Sequence, residues 1–134
     1  MPRLLFNRFR SAESLPEKAL DKMKSTLAEL SVRWSLTGGL AAYALQRFYK
    51  GTDLILFLDA ASDQIVRQLR LLPDANGPIT LLRGFGAAAY WKEVKGITLA
   101  HPWLIYAELM RSPDPRAHEA AAELKGEFLQ TWSS

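Results

Sequence analysis

The chain has 134 residues and a mass of 15.0 kDa, a size that suits one domain with a sizeable core. Its 49% hydrophobic and 23% charged residues exclude an intrinsically disordered chain, and the lack of cysteine excludes disulfides and thiol chemistry. No segment approaches the roughly 18 apolar residues of a membrane span, and the N-terminus lacks the apolar core of a signal peptide, so we expect a cytoplasmic protein.

The N-terminal segment, residues 1–14, is predicted to be a basic stretch ahead of the folded core. It contributes to the formal net charge of +3, since the first 50 residues carry nine Lys/Arg and four Asp/Glu. Arg3, Arg8 and Arg10 alternate with phenylalanines, a pattern compatible with nucleic-acid contact or with a solvated charged surface. We expect at most weak, salt-sensitive DNA binding from this cluster.

The α/β core is predicted to span residues 15–100. Ser14 and Glu17 have the spacing of a capping box and predict a helix over about 15–31. Further on, hydrophobic periodicity and chain breakers predict strands and helices in alternation. They are a strand at 33–37, a helix at 39–48, a strand at 53–59, a helix capped by Ser62, a loop at 73–78, a strand at 79–83 and a short strand at 96–100.

The C-terminal part, residues 101–134, is predicted to be helical. His101-Pro102 begins a helix that is apolar nearly all round, which predicts its burial. Asp114, followed by a proline, has the pattern of a cap with proline in the first turn of the last helix. The expected fold is therefore a mixed α+β (α/β) domain in which helices cover a small mixed sheet.

A Gly-Gly pair interrupts the chain between the first predicted core strand and its helix, at Thr37-Gly38-Gly39. Glycines allow close approach of a ligand, and a helix that begins there directs unpaired N–H groups outward, so a phosphate or carboxylate could bind. Alternatively the pair is only a sharp turn, and the alanines that follow let the helix pack closely on the sheet.

The candidate catalytic residues do not form a recognisable set. Asp53 and Asp59 lie on one face of the same predicted strand, but six residues separate them by roughly 20 Å, too far to share a metal. The two histidines, His101 and His118, lack the spacing of a metal motif, and no serine lies in a nucleophile elbow. We therefore expect no catalytic residues, no metal and no cofactor.

Four motifs, taken in order, resemble the C-terminal domain of AbiEi-family antitoxins of type IV toxin–antitoxin systems. The resemblance runs from about residue 30 to the C-terminus. The motifs are Trp34-Ser-Leu-Thr-Gly-Gly-Leu-Ala-Ala-Tyr43, the strand that ends at Asp59, Leu71-Leu-Pro-Asp-Ala-Asn-Gly-Pro-Ile-Thr-Leu-Leu-Arg83, and His101-Pro-Trp-Leu-Ile-Tyr-Ala-Glu-Leu109 with Asp114-Pro-Arg116.

This resemblance implies a bacterial regulatory protein with a degenerate, nucleotidyltransferase-like start to its fold, and a cognate toxin that is itself nucleotidyltransferase-like. Relatives bind DNA through an N-terminal winged helix, which the roughly 30 residues before Trp34 cannot hold, so we expect no operator binding by this chain. We expect the toxin as a partner, by direct contact or through function alone, and no membrane. A nucleotide-binding domain or small nucleotidyltransferase and a homo-oligomeric adaptor are the alternatives.

The surface expected to serve the antitoxin function lies between Gly77 and Arg116, where the residues most like the family, outside the Gly-Gly turn, are found. Arg83, Tyr106, Asp114 and Arg116 are its candidate residues, expected at one rim of the sheet. Structural roles are the alternative, because Tyr106 could satisfy its hydroxyl in the core and Asp114 could only cap a helix.

Overall fold

A buried apolar strand, Leu54–Leu58, is the centre of the fold, and all its residues except Phe57 are buried. The structure is a computed structural model that describes residues 5–11, 16–46, 51, 53–84 and 86–129. Its strands are β1 (Leu5–Arg10), β2 (Trp34–Thr37), β3 (Leu54–Leu58), β4 (Leu72–Pro73), β5 (Ile79–Arg83), β6 (Lys92–Val94) and β7 (Ile97–Leu99).

Six α-helices are described, and the last of them continues into a π-helical turn at Lys125–Leu129. No helix among the described residues is long and apolar enough to cross a bilayer. The helices are α1 (Pro16–Glu29), α2 (Gly38–Gln46), α3 (Asp63–Gln68), α4 (Gly86–Ala89), α5 (Pro102–Arg111) and α6 (Pro115–Leu124).

The strands form one mixed sheet in the order β4-β1-β5-β3-β2-β7-β6. β3 is antiparallel to β2 and parallel to β5, while β7 is parallel to β2. Helices and a mixed sheet therefore confirm the predicted α/β class.

The main core lies on one face of this sheet. Leu36, Leu56 and Leu81 are cross-strand partners, so they point to the same face, and all three are buried. They belong to one hydrophobic cluster with buried side chains from α1, α2, α3, α5 and α6. Nearly all of the helical surface that is buried therefore packs on this face.

The opposite face carries the polar buried side chains of the sheet and the short helix α4. The Ser35 hydroxyl donates a hydrogen bond to the Ala89 carbonyl and so ties α4 to this face. Tyr90 follows α4, with the Arg33 guanidinium 4.1 Å from its ring centroid. Burial, with a smaller effect of the Asp59 carboxylate, raises the pKa of Tyr90 to about 12, although Arg33 opposes the shift.

Several predicted elements need correction. The loop at 73–78 begins inside β4, β1 and β6 were not predicted, and the end of the helix expected at 39–48 lies outside the described residues. Ser62 precedes α3, but its side chain makes no capping hydrogen bond. Helix α5 is buried on one side only, since Trp103 and Met110 are exposed.

Helices α1 and α3 both end in Schellman motifs without glycine. After α1, Val32 N–H donates to the Leu27 carbonyl and Ser31 N–H to that of Ala28, with Ser31 at φ 55°. Arg70 has the same role after α3, with φ 52°. A non-glycine residue pays a steric penalty in this left-handed conformation.

We expect Ser31→Gly to raise the free energy of unfolding by roughly 0.5–1 kcal/mol, because glycine removes that penalty. Ala28→Gly, at an exposed position of the same helix, is the matched control and should lower it by about 1 kcal/mol. Urea denaturation of the three proteins measures both values. Equal destabilisation by both glycines would contradict the role given to Ser31.

His101 caps helix α5 as a hydrogen-bond acceptor. Its Nδ1 accepts from Trp103 N–H at 3.1 Å, which requires that nitrogen to be unprotonated. Burial lowers the pKa of the His101 imidazole below its ordinary value of 6.5.

We therefore expect part of the chain's stability to be lost as pH falls from about 6.5 through the lower, folded-state pKa of His101. In that window the unfolded chain binds more protons than the folded chain, so acid favours unfolding. His101→Asn keeps a capping side chain but cannot titrate, and should lose this component. Thermal melts between pH 5 and pH 7 make the comparison, and identical pH profiles would refute it.

Candidate functional site

A cleft of about 200 Å³ opens at the edge of the sheet where β2 ends and β3 begins. The antiparallel register of these two strands brings the start of α2 beside the residue that precedes β3. The turn between α5 and α6 closes the other side. Residues that line the cleft include Gly38, Gly39, Asp53, Ile55, Glu108 and Asp114.

The Gly-Gly turn forms one wall of this cleft. Gly38 has φ +75°, a left-handed conformation that favours glycine, and a Cβ there would lie 2.9 Å from Ile55 Cδ1, the end of a flexible side chain. Ala41 and Ala42 on the following helix are buried, which fits the close packing expected of them. The Gly-Gly pair therefore forms a sharp turn between β2 and α2, and the same pair lines a cleft.

Thr37, the first residue of the predicted anion site, is fully buried at the end of β2. Its Oγ1 has no hydrogen-bond partner among the described residues. The hydroxyl is next to Gly38 in the chain, but Thr37 does not line the cleft. The structure thus places Gly38 and Gly39, but not Thr37, on the cleft surface.

Three carboxylates from three different elements line the same cleft, those of Asp53, Glu108 and Asp114. Asp53 is exposed, whereas Glu108 is 8% exposed and lies 3.8 Å from the Arg111 guanidinium. Glu108 faces the Arg111 guanidinium and Asp114 faces that of Arg116, so neighbouring positive charges partly neutralise these carboxylates. Among the described residues, no group of three or more His, Cys, Asp or Glu side chains is arranged to hold a metal ion.

The two aspartates that flank β3 have separate surroundings. Asp59 Oδ1 accepts a hydrogen bond from Arg33 N–H at 3.0 Å, and Asp59 N–H donates to the Arg33 carbonyl, also at 3.0 Å. Asp59 therefore closes the end of the β2–β3 pair, far from the cleft where Asp53 lies. The structure therefore places the two carboxylates at opposite ends of β3.

Three of the predicted surface residues lie on the α5–α6 hairpin. Asp114 caps α6, since its Oδ1 accepts from Arg116 N–H at 2.9 Å, and its other oxygen is 3.4 Å from the Arg116 guanidinium. Tyr106 is half-buried on α5, with its ring edge-on to Trp103 at 5.8 Å.

Arg83 is separate from this group. It ends β5 beside Leu58, the last residue of the parallel strand β3, whereas the cleft is at the start of β3. Four residues of strand correspond to roughly 13 Å. The structure therefore brings Asp114 and Arg116 together at the α5–α6 turn and places Arg83 at the opposite end of the strands.

The basic N-terminal cluster is divided in the structure. Arg8 donates to the Gly77 carbonyl through Nε at 3.1 Å and Nη2 at 2.7 Å, which holds the 74–77 turn against β1. Arg10 is exposed at the end of β1. Arg3 lies outside the described residues.

The sequence interpretation missed two features on α5. Glu108 lines the cleft although it was not singled out, and the exposure of Trp103 and Met110 was not expected. The spacing of Trp103 and Met110, seven residues apart on one helix face, was a signal that could have marked a second apolar side.

The comparisons with known proteins give a family. A family model described as "Transcriptional regulator, AbiEi antitoxin, Type IV TA system" matches residues 3–130, so the similarity begins well before residue 30 and includes β1 and α1. No match was found among curated proteins. With nearly its whole length matched, the chain belongs to the AbiEi antitoxin family of type IV toxin–antitoxin systems.

Proposed function

We propose that this chain neutralises a nucleotidyltransferase-like toxin without catalysing a reaction itself. Family membership gives the antitoxin role, and the observation that best supports a non-catalytic one is the geometry of β3. Nucleotidyl transfer needs carboxylates close enough to share a divalent metal. Asp53 precedes this strand, and the residue two positions later is Ile55, which has no carboxylate. Asp59 is hydrogen-bonded to Arg33 at the opposite end of the strand.

The surface that we assign to this function is the rim of the cleft formed by the α5–α6 turn. Asp114 and Arg116 present a carboxylate and a guanidinium there, and the Arg116 side chain is 76% exposed. An exposed ion pair of this kind contributes little to stability, typically below about 1 kcal/mol. Its charges are therefore available for recognition at small structural cost.

Tyr106 extends this surface along α5, with its ring against Trp103. Arg83 is a second, separate position, at the opposite end of β3 and β5 from the cleft. It could contribute only if the partner or target contacted that end of the strands as well. A bound nucleotide at Thr37-Gly38-Gly39 is the alternative function, for which Gly38 and Gly39 line the cleft whereas Thr37 does not.

We expect Asp114→Asn to leave the stability almost unchanged, because asparagine caps helices as well as aspartate does. The same substitution removes the charge beside Arg116, so rescue of cells that coexpress the cognate toxin should fall. Arg116→Ala should behave likewise. Growth rates measure rescue, and circular dichroism measures folding.

Asp114→Ala is the structural control for that experiment and should cost about 1 kcal/mol of stability through the lost cap. Full protection by folded Asp114→Asn and Arg116→Ala variants would move the functional surface away from this rim. Arg83→Ala would then test the opposite end of the sheet.

We also expect no metal-dependent nucleotidyl transfer by the purified chain. Incubation of the purified chain alone with each labelled nucleoside triphosphate and Mg²⁺ or Mn²⁺ should leave it unlabelled. Asp53→Asn, which removes the carboxylate of the cleft that lies next to β3, is the matched variant. Labelling that this substitution abolishes would show that the chain is an enzyme.

A further inference from the structure

The turn at 74–77, between β4 and β5, contains the one Asn-Gly pair of the sequence, Asn76-Gly77. Gly77 N–H donates to the Asp74 carbonyl at 2.9 Å, and Asn76 N–H donates to Asp74 Oδ1 at 3.0 Å. Aspartate in the first position and glycine in the fourth are typical of a type I turn. Ala75 and Asn76 are both exposed, so the tip of the turn faces solvent.

An asparagine followed by glycine places an electrophile next to a nucleophile. The Gly77 backbone nitrogen can attack Cγ of Asn76, and glycine hinders this approach least because it has no Cβ. The new C–N bond closes a five-membered succinimide, the Cγ–Nδ2 bond breaks, and Nδ2 leaves as ammonia with the proton that the Gly77 nitrogen loses. Water then opens the ring at either carbonyl, which leaves aspartate or isoaspartate at position 76.

The contacts of Gly77 oppose this reaction while the turn is closed. Its N–H is used in the hydrogen bond to Asp74, and its carbonyl accepts from Arg8 Nε at 3.1 Å and Nη2 at 2.7 Å. A Cβ at Gly77 would clash with the Phe9 carbonyl oxygen, so the turn lies directly against β1. The Gly77 nitrogen can approach Cγ of Asn76 only when it gives up its hydrogen bond, which requires the turn to open.

The location of the turn favours such local opening. It follows β4, a strand of two exposed residues at the edge of the described sheet, which pairs with β1. Exposed edge segments with few buried contacts open at a lower free energy than the core does. Arg8 contacts the turn twice, since its carbonyl accepts from Asp74 N–H at 3.0 Å and its guanidinium donates to Gly77. The Arg8 side chain therefore limits the opening.

We propose that Asn76 is a site of spontaneous deamidation in the folded chain, and that the Arg8 side chain sets its rate by holding the turn closed. The reaction replaces a neutral amide with a carboxylate, so the formal net charge falls by one from +3. Isoaspartate also lengthens the backbone by one CH₂ group in a turn that has no space against the Phe9 carbonyl, so it separates the turn from β1. This modification is independent of the proposed function.

The test incubates the purified full chain at mildly alkaline pH and follows the mass of the peptide that contains residue 76. We expect the mass gain of deamidation at Asn76, and a slower gain at Asn7, which precedes an arginine. Arg8→Ala should accelerate the reaction at Asn76 at least about tenfold, because two hydrogen bonds from a charged donor no longer hold Gly77. Arg10→Ala is the matched control, an exposed arginine at the end of the same strand, and should leave the rate unchanged.

Two further variants separate opening of the turn from unfolding of the whole chain. Arg8→Lys keeps the charge but lacks the guanidinium fork, so it should give an intermediate rate, and it replaces Arg8→Ala if that variant does not fold. Ala28→Gly destabilises helix α1 outside the turn and should leave the rate unchanged. Urea denaturation measures the overall stability of each variant.

Three results would overturn the proposal. The first is an Asn76 that stays intact in the folded parent chain over a period in which the urea-unfolded chain is converted. The second is an equal rate in the parent chain and in the folded Arg8 variants. The third is an acceleration by Ala28→Gly as large as that by Arg8→Ala, which would assign the reaction to globally unfolded chains.

Discussion

The burial of β3 is the constraint on which the rest of the structure depends. The strand has five apolar residues and lies between two other strands. It is stable only when its backbone N–H and C=O groups are paired on both edges and its side chains are covered on both faces. Antiparallel pairing with β2 then brings the Gly-Gly turn next to Asp53, and parallel pairing with β5 sends Arg83 to the other end of the sheet. The position of the cleft and the separation of the candidate residues both follow from this one strand.

Helices α5 and α6 turn that sheet edge into a site. Buried side chains such as Ile105 and Ala121 hold the hairpin on the core, and the turn between the two helices carries Asp114 to the mouth of the cleft. The same packing buries only one side of α5. The exposed side carries Trp103 and Met110.

Local signals in the sequence were enough to predict β2, β3 and β5 and the helices that follow β2 and β3, because Gly, Pro and hydrophobic periodicity mark their limits. They did not predict β1, whose alternating arginines resemble a solvated segment until long-range pairing with β5 places Phe9 in the core. β6 was missed for a similar reason, since a three-residue edge strand that begins Lys-Glu has no apolar pattern. The cleft carboxylates at positions 53, 108 and 114 meet only through tertiary packing, which spacing along the chain cannot reveal.

Neutralisation without catalysis is the central claim, and the dependence of rescue on the amount of the chain tests it most directly. The measurement is growth of cells in which the levels of the toxin and of this chain are varied independently and both proteins are quantified. We predict that the amount of chain needed for half-maximal rescue rises with the amount of toxin. Half-maximal rescue at a small and constant amount of chain, whatever the amount of toxin, would contradict the account.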